Sequence, residues 1–309
     1  MQTSGACKRP LRNSCIRDDR MNENLLKKRD ALLTVMRNYG RVAVAFSGGV
    51  DSALVAKAAV LACGTNAVAV TSISDSLAQG ELETARHVAA EMGIRHEIIR
   101  TQEFDVAGYQ ANAGDRCYFC KTELYSELLA ALPRLQVDII CNGANLDDRG
   151  DHRPGMQAAA EHQIRSPLIE AEFTKQDVRD LAREWQIPIW NKPAAPCLSS
   201  RIAYGVNVTP ERVQRIDQAE RFLKSTFGID VLRVRLEQNE LARIEVPLEV
   251  LPQLLQPQMR LQIVEHLLGL GFRFVTLDLE GFRSGSLNRS LPLVSLQPLS
   301  LSSRTTTSP

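Results

Sequence analysis

No apolar run in this chain approaches the roughly 20 residues needed to cross a bilayer, and its first 20 residues hold no apolar core of the signal-peptide kind. It also lacks net charge: 37 Lys and Arg stand against 36 Asp and Glu, a formal +1. No global field therefore draws it to nucleic acid or to a lipid surface. The expectation is a soluble, cytoplasmic protein with no membrane and no nucleic-acid partner. The five histidines, 87, 96, 152, 162 and 266, have no metal-ligand spacing. There is no internal repeat and no N-terminal glutaminase segment that would supply ammonia. The seven cysteines, 7, 15, 63, 117, 120, 141 and 197, are an odd number in a chain without a secretion signal. Reduced thiols with a catalytic or metal role fit that count better than a disulfide framework.

What is present is concentrated in residues 41–52, Arg-Val-Ala-Val-Ala-Phe-Ser-Gly-Gly-Val-Asp-Ser. A β-branched apolar run ends in a glycine turn, and the helix-forming run Ala53–Cys63 follows. Glycines lack a Cβ, so backbone N–H groups can close around a phosphate, and the first turn of the helix favours an anion there. Ser47 and Ser52 add hydroxyl donors, and Asp51 can orient Mg²⁺ or cap the helix. The Gly-Lys-Ser/Thr ending of the Walker loop is missing. The segment resembles instead the pyrophosphate loop of the ATP pyrophosphatases, which split ATP between its α and β phosphates and adenylylate a substrate.

Around the loop the chain alternates. Strands are expected at 42–46, 67–72, 96–99 and 137–142, with helices at 52–63, 77–92, 122–132 and 174–185. The last opens on the capping signal Thr174-x-x-Asp177. This order predicts an α/β fold, a doubly wound parallel sheet with helices on both faces. Ligands in such sheets bind at the carboxyl ends of the strands, where Ser47, Ser72, Asp75 and Asn142 fall. The Pro-rich stretch 192–196 closes the first unit. A second, smaller α+β unit follows, with helix 210–227, strands 230–236 and 241–246, helix 249–268 and strand 272–278. The predicted boundaries are a polar extension over 1–23, a nucleotide domain over 24–200, a substrate and oligomerisation domain over 201–290, and a disordered tail over 291–309.

A second group of residues carries sulfur chemistry. Cys117 and Cys120 form a Cys-x-x-Cys pair, and Cys197 lies in Pro-Cys-Leu-Ser-Ser-Arg. Three thiolates on one centre would leave a [4Fe–4S] cluster or a zinc ion with an open position. Core cysteines or a redox dithiol are the other readings of the pair. On strand 230–236, Arg233 and Arg235 alternate and share a face. Two guanidiniums on one face suit a phosphate, a solvated strand face being the alternative.

Together with Gly143–Asp148, Asp151–Gly155, Pro196–Tyr204 and Asp278–Asn288, these motifs make residues 24–288 resemble the LarE family of ATP-dependent sulfur transferases of nickel-pincer nucleotide cofactor synthesis. The resemblance implies a nicotinate-derived substrate, pyridinium-3,5-biscarboxylic acid mononucleotide. ATP would adenylylate one carboxylate, and a sulfur nucleophile would displace AMP to leave a thiocarboxylate. It implies an ATP site of Ala45, Ser47, Gly48, Gly49, Asp51, Ser52, Ser72, Gly143 and Asp148, with Asp51, Lys121 and Cys197 in catalysis. Asp148 would act on Mg²⁺ and Lys121 on the charge of the acyl-adenylate. Arg233, Arg235, Arg201 and Ser200 would hold the substrate phosphate. Members of the family divide by sulfur source. In one kind a lone cysteine, matched here by Cys197, gives up its own sulfur. In the other three cysteines, matched by Cys117, Cys120 and Cys197, hold a [4Fe–4S] cluster that takes an added sulfide. The cluster kind fits the three thiols better. A homo-oligomer is expected. The alternative activity is that of a tRNA thiolase of the same loop class, which would need a basic RNA surface.

Overall fold

Why the glycine loop ends up at the middle of a sheet follows from strand order. The computed structural model describes residues 23–150, 154–193 and 196–283. The N-terminal extension up to residue 22, Asp151 to Arg153, Ala194 and Ala195, and everything from Ser284 on, tail included, lie outside the described residues. Helix α1 (Glu23–Tyr39) leads into β1 (Val42–Ala45), α2 (Val50–Cys63) and β2 (Ala67–Ile73). Next come α3 (Glu81–Met92), β3 (Arg95–Arg100), α4 (Ala107–Ala111), α5 (Arg116–Leu135) and β4 (Ile139–Cys141). The first half closes with α6 (Pro154–Glu161), α7 (Pro167–Glu170) and α8 (Lys175–Glu184). The four strands pair in parallel in the order β3-β2-β1-β4. The order reverses between β1 and β4, and at that switch point a ligand crevice opens beyond the carboxyl ends.

Both faces of the sheet are covered. Val42, Val44, Ala67 and Ala69 pack with α1, α2, α3 and α8, while Ala43, Val68, Val70 and Ile140 pack with α5 and α6. The alternation along each strand divides these residues between two cores. Helix α2 has apolar or small residues all round because it lies between the sheet and the outer helices α1 and α8.

The second half contains α9 (Pro210–Phe227), β5 (Arg233–Glu237), β6 (Leu241–Glu245), α10 (Leu251–Leu254), α11 (Pro257–Gly269) and β7 (Phe274–Leu277). Its sheet runs β5-β6-β7, antiparallel then parallel. Thr209 caps α9, with its hydroxyl accepting the Arg212 amide at 3.3 Å. Tyr109 and Leu198 belong to this second core, and Phe104, Phe119 and Cys120 pack on it.

Three of the expected helices begin or break elsewhere, β5 starts at Arg233 and not at residue 230, and α1 is an added element. The helix expected from Thr122 begins at Arg116, so both thiols of the Cys-x-x-Cys pair lie inside it. Cysteine and aromatics are poor helix formers, but Phe119 is held by packing. Its ring lies so close to Gly108 that a Cβ there would stand 2.2 Å from Cζ. The helix expected over 77–92 starts only at Glu81, after a turn closed by Leu77 N–H to Ser74 O at 3.1 Å and by Gly80 at φ 88°. The helix expected over 249–268 is broken ahead of Pro257, which has no N–H to continue it. Among the described residues no helix is long and apolar enough to cross a membrane.

Candidate functional site

Gly48 takes φ 70°, a left-handed conformation that glycine adopts without strain, and Gly49 is extended at the N-cap of α2. A Cβ on Gly48 would approach Ala85 Cβ at 3.3 Å, so α3 packs directly on the loop. No side chain caps α2, which leaves first-turn amides for an anion. The Ser52 hydroxyl donates to Gly49 O at 3.0 Å and accepts the Ser47 amide at 3.3 Å, and the two serine hydroxyls lie 3.2 Å apart. The loop is thus closed on itself before any ligand arrives. Ala45 ends β1 and Ser72 lies near the end of β2.

The turn after β4 completes the crevice. A Cβ on Gly143 would fall 2.7 Å from the Ser52 nitrogen and 3.0 Å from the Asp51 carbonyl carbon, so only glycine fits against the α2 backbone here. The residues that follow are organised by their own side chains. Asn142 Oδ1 accepts from Ala144 N at 3.0 Å, Asn145 Oδ1 from Asp147 N at 3.1 Å, and Asp148 Oδ2 from Asn145 N at 3.0 Å. Asn145 Nδ2 reaches Asp51 Oδ1 at 3.2 Å. The other oxygen of Asp51 pairs with the ammonium of Lys175, at the start of α8.

Cys117 and Cys120 occupy the first turn of α5, three apart and hence on one face. Cys117 and Cys197 are exposed, and Cys120 is partly covered. Burial pushes the Cys120 thiol up to about 12; Lys121 opposes this, and Cys197, Glu103 and Cys117 add to it. All three thiols are therefore electrostatic neighbours. Burial pulls the Lys121 ammonium down, but Tyr125 and the three cysteines outweigh it, and the net shift is upward. Arg116 is buried beside them, donating to Asn112 Oδ1 at 2.8 Å and to Ser199 O at 2.7 Å. The Tyr109 and Ser199 hydroxyls meet at 2.6 Å. Among the described residues no group of three or more His, Cys, Asp or Glu side chains is gathered as a metal site.

Beneath the Cys197 segment lies a buried cluster of charges. Arg201 pairs with Glu220 at 3.0 Å and donates to Cys197 O at 3.1 Å and Ser200 Oγ at 3.2 Å. Arg235 pairs with Glu245 at 2.9 Å and donates to Ser200 O at 2.9 Å. Arg233 is buried too, and its guanidinium lies over the Phe282 ring, 4.7 Å from the centroid. Burial, with Arg235 and Arg201 nearby, pulls its pKa down to about 10. The strand alternation does put both arginines on one face, and that face is buried.

Two site residues carry no signal in the sequence. Lys175 is joined to Asp51 only by the fold, 124 residues apart. Glu103 is 2 % exposed, accepts from the Ser74 and Ser76 hydroxyls at 2.5 and 2.9 Å through Oε1, and buries Oε2 without a partner. Nothing in Gln-Glu-Phe-Asp marks it as more than a surface acid.

Residues 28–115 match the asparagine synthase family model. The chain is 47% identical over 251 residues to the uncharacterized protein slr1717 of Synechocystis sp., covering 81% of this chain and 93% of that one. It is 37% identical over 268 residues to the pyridinium-3,5-bisthiocarboxylic acid mononucleotide synthase of Lactiplantibacillus plantarum, covering 86% of this chain and 96% of that one.

Proposed function

The chain belongs to the family of the Lactiplantibacillus plantarum pyridinium-3,5-bisthiocarboxylic acid mononucleotide synthase, and we propose from that membership that it is an ATP-dependent sulfur transferase making a thiocarboxylate on a pyridinium mononucleotide. One observation carries the reading. The self-closed glycine loop sits at the sheet's switch point, and the chain leaving the neighbouring strand β2 holds the Cys197 segment through Ser76 O and Leu198 N at 3.0 Å. An activating site and a thiol site are thereby joined.

A substrate carboxylate oxygen attacks the α-phosphorus of ATP, and the α–β bridging bond breaks with its electron pair leaving on pyrophosphate. A sulfur nucleophile then attacks the acyl carbon, and the C–O bond to AMP breaks. Loop amides and the Ser47 and Ser52 hydroxyls bind the pyrophosphate. Asp51 at the loop and Asp148 in the turn after β4 would be the carboxylates for the Mg²⁺ that accompanies ATP, which would supply charge neutralisation at the phosphates. Gly143 lets the turn after β4 pack directly against the α2 backbone that carries Asp51 and Ser52.

Arg233 is the group for the substrate phosphate, because burial and the neighbouring Arg235 and Arg201 outweigh Glu245 and Glu220 and leave its charge under-compensated, while Arg201 and Arg235 each hold an ion pair. Those two, with Ser200, hold the segment that presents Cys197. Cys117, Cys120 and Cys197, beside Lys121 and Arg116, would be the ligands of a [4Fe–4S] cluster, and binding it would have to draw together thiols that are not gathered as a metal site as they stand. Such a cluster, when bound, supplies an open iron position for an exogenous sulfide. In the sacrificial scheme Cys197 itself is the nucleophile; a base then takes its Cα proton, the Cα=Cβ double bond forms, and the Cβ–S bond breaks with its electron pair leaving on the thiocarboxylate, so that dehydroalanine remains. The apolar face of α11 and β7, with Leu261, Leu268 and Phe274 exposed, supports a homo-oligomer built through the second half.

The test is product analysis with ATP, pyridinium-3,5-biscarboxylic acid mononucleotide and sulfide. AMP, pyrophosphate and a thiocarboxylate mass are expected, and ADP as the main product would overturn the reading.

A further inference from the structure

Lys175 belongs to none of the motifs, yet its side chain ends on the carboxylate of the glycine loop. Its backbone is fixed from three directions. It is the first residue of α8; Thr174 and Asp177 cap that helix reciprocally; and its amide donates to Asp147 Oδ2 at 2.7 Å. From there the ammonium pairs with Asp51 Oδ2, while Asn145 holds Oδ1. The two side chains are 37% and 27% exposed, so the pair lies at the mouth of the loop, open to a ligand.

An ion pair this exposed adds little to stability, too little to explain its position through folding alone. Asp51 is the one carboxylate in Ser47–Ser52, and an ammonium and a metal ion compete for a single carboxylate. We propose that Lys175 contacts the pyrophosphate part of ATP. Without nucleotide it occupies the cation position on Asp51, and Mg·ATP takes that position and turns the ammonium onto the β and γ phosphates. This rests on the assignment of Ser47–Ser52 as the ATP site. The exchange needs only rotation of a long side chain with three rotatable donors, and each cation ends on an anion. As the bond between the α-phosphorus and the bridging oxygen breaks, the electron pair moves onto pyrophosphate, where the ammonium offsets the growing charge.

Calorimetric titration of the wild type, Lys175→Met and Lys175→Arg with ATP, inorganic pyrophosphate and AMP, each with Mg²⁺, tests this. Lys175→Met should weaken ATP and pyrophosphate at least tenfold and AMP less than twofold, and Lys175→Arg should recover most of the loss. Mn²⁺ alone, followed by its paramagnetic resonance, should bind Lys175→Met more tightly than the wild type. Equal weakening of ATP and AMP, or unchanged pyrophosphate binding, overturns the proposal while leaving the ATP site standing. A wild type that binds no ATP removes the site and the proposal together. Should Lys175→Met not fold, acetylation of the wild type decides: Mg·pyrophosphate should protect Lys175 and AMP should not, and equal protection by the two, or none, overturns it.

Discussion

The carbonyl of Ser76 accepts the amide hydrogen of Leu198 at 3.0 Å. The chain that leaves β2 beside the glycine loop therefore holds the residue next to Cys197. Glu103 anchors that chain from below through the Ser74 and Ser76 hydroxyls, and Lys192 pairs with Glu81 above it at 2.7 Å.

Removing the Glu103 carboxylate should loosen Cys197 without touching the loop. Glu103→Ala takes the carboxylate acceptor from the buried Ser76 hydroxyl and the partly covered Ser74 hydroxyl and leaves them each other at 2.9 Å, at a cost of about 1–3 kcal/mol. Adenylylation, read as pyrophosphate release, should persist while the rate of Cys197 alkylation changes several-fold. Unchanged alkylation together with lost pyrophosphate release would place Glu103 in the ATP site instead.

Gly143→Ala puts a methyl against the α2 backbone at 2.7 Å, where no flexible side chain can give way. Overpacking of this sort costs about 1–3 kcal/mol, and the relief available is to push α2 off the loop. A lower unfolding midpoint and an ATP affinity reduced at least tenfold are expected. A change in neither would show that β4 and α2 separate freely.

Arg233 should trade stability against binding. Burial and two neighbouring guanidiniums disfavour its charge in the folded protein. Arg233→Met removes that repulsion, so the denaturant midpoint should hold or rise. A lost charge-assisted hydrogen bond is worth roughly 1.5–3 kcal/mol, or about 10- to 150-fold in affinity for the mononucleotide, with ATP affinity kept. A fall in ATP affinity with mononucleotide binding intact would move Arg233 to the nucleotide site.

The three cysteines can be told apart by how their losses combine. If they hold one cluster, each Cys→Ala change should remove most of the iron and most of the sulfur transfer, and double changes should add little, because residues sharing one centre are not independent. If Cys197 is sacrificial, only its replacement stops transfer, and the wild type loses the mass of H₂S at that position after one turnover. Mass spectrometry of the protein after turnover separates the two.

Acid should act through the junction of α1 and α8. Burial raises the Asp177 carboxyl, but the Lys28 ammonium at 2.7 Å and the Thr174 cap outweigh it, and its pKa is held below the usual value. A carboxyl depressed in the folded state contributes stability above its unfolded pKa, near 4, and loses it as pH falls through the folded value. Between pH 6 and 3 the wild type should lose more stability than Asp177→Asn. Parallel curves would show that the pair contributes nothing.

Local patterns were legible because their causes are local. The strand, glycine and helix order of 42–63, the Thr174 cap and the Thr209-Pro210 start of α9 follow from propensity and capping, and the structure has each of them. The sheet followed from the alternation of elements. The start of α5 did not, since packing of Phe119 overrides the weak helix preference of its first turn. Helix α1 has a stripe of Leu25, Leu32 and Met36 that sequence could have offered. Lys175 and Glu103 could not be found, because each acquires its role from a partner far away in the chain.

The spacing of the thiols also sets an order in time. Synthesis releases the turn carrying Cys117 and Cys120 well before Cys197 exists, and the first half folds around a sheet that is complete at Cys141. Arg116, in that same turn, waits for the carbonyl of Ser199 to fill its donors. Until residue 197 is made, the growing chain carries the Cys117 and Cys120 pair without the third thiol of that group. Whatever requires all three can be loaded only onto a chain that has grown past Cys197.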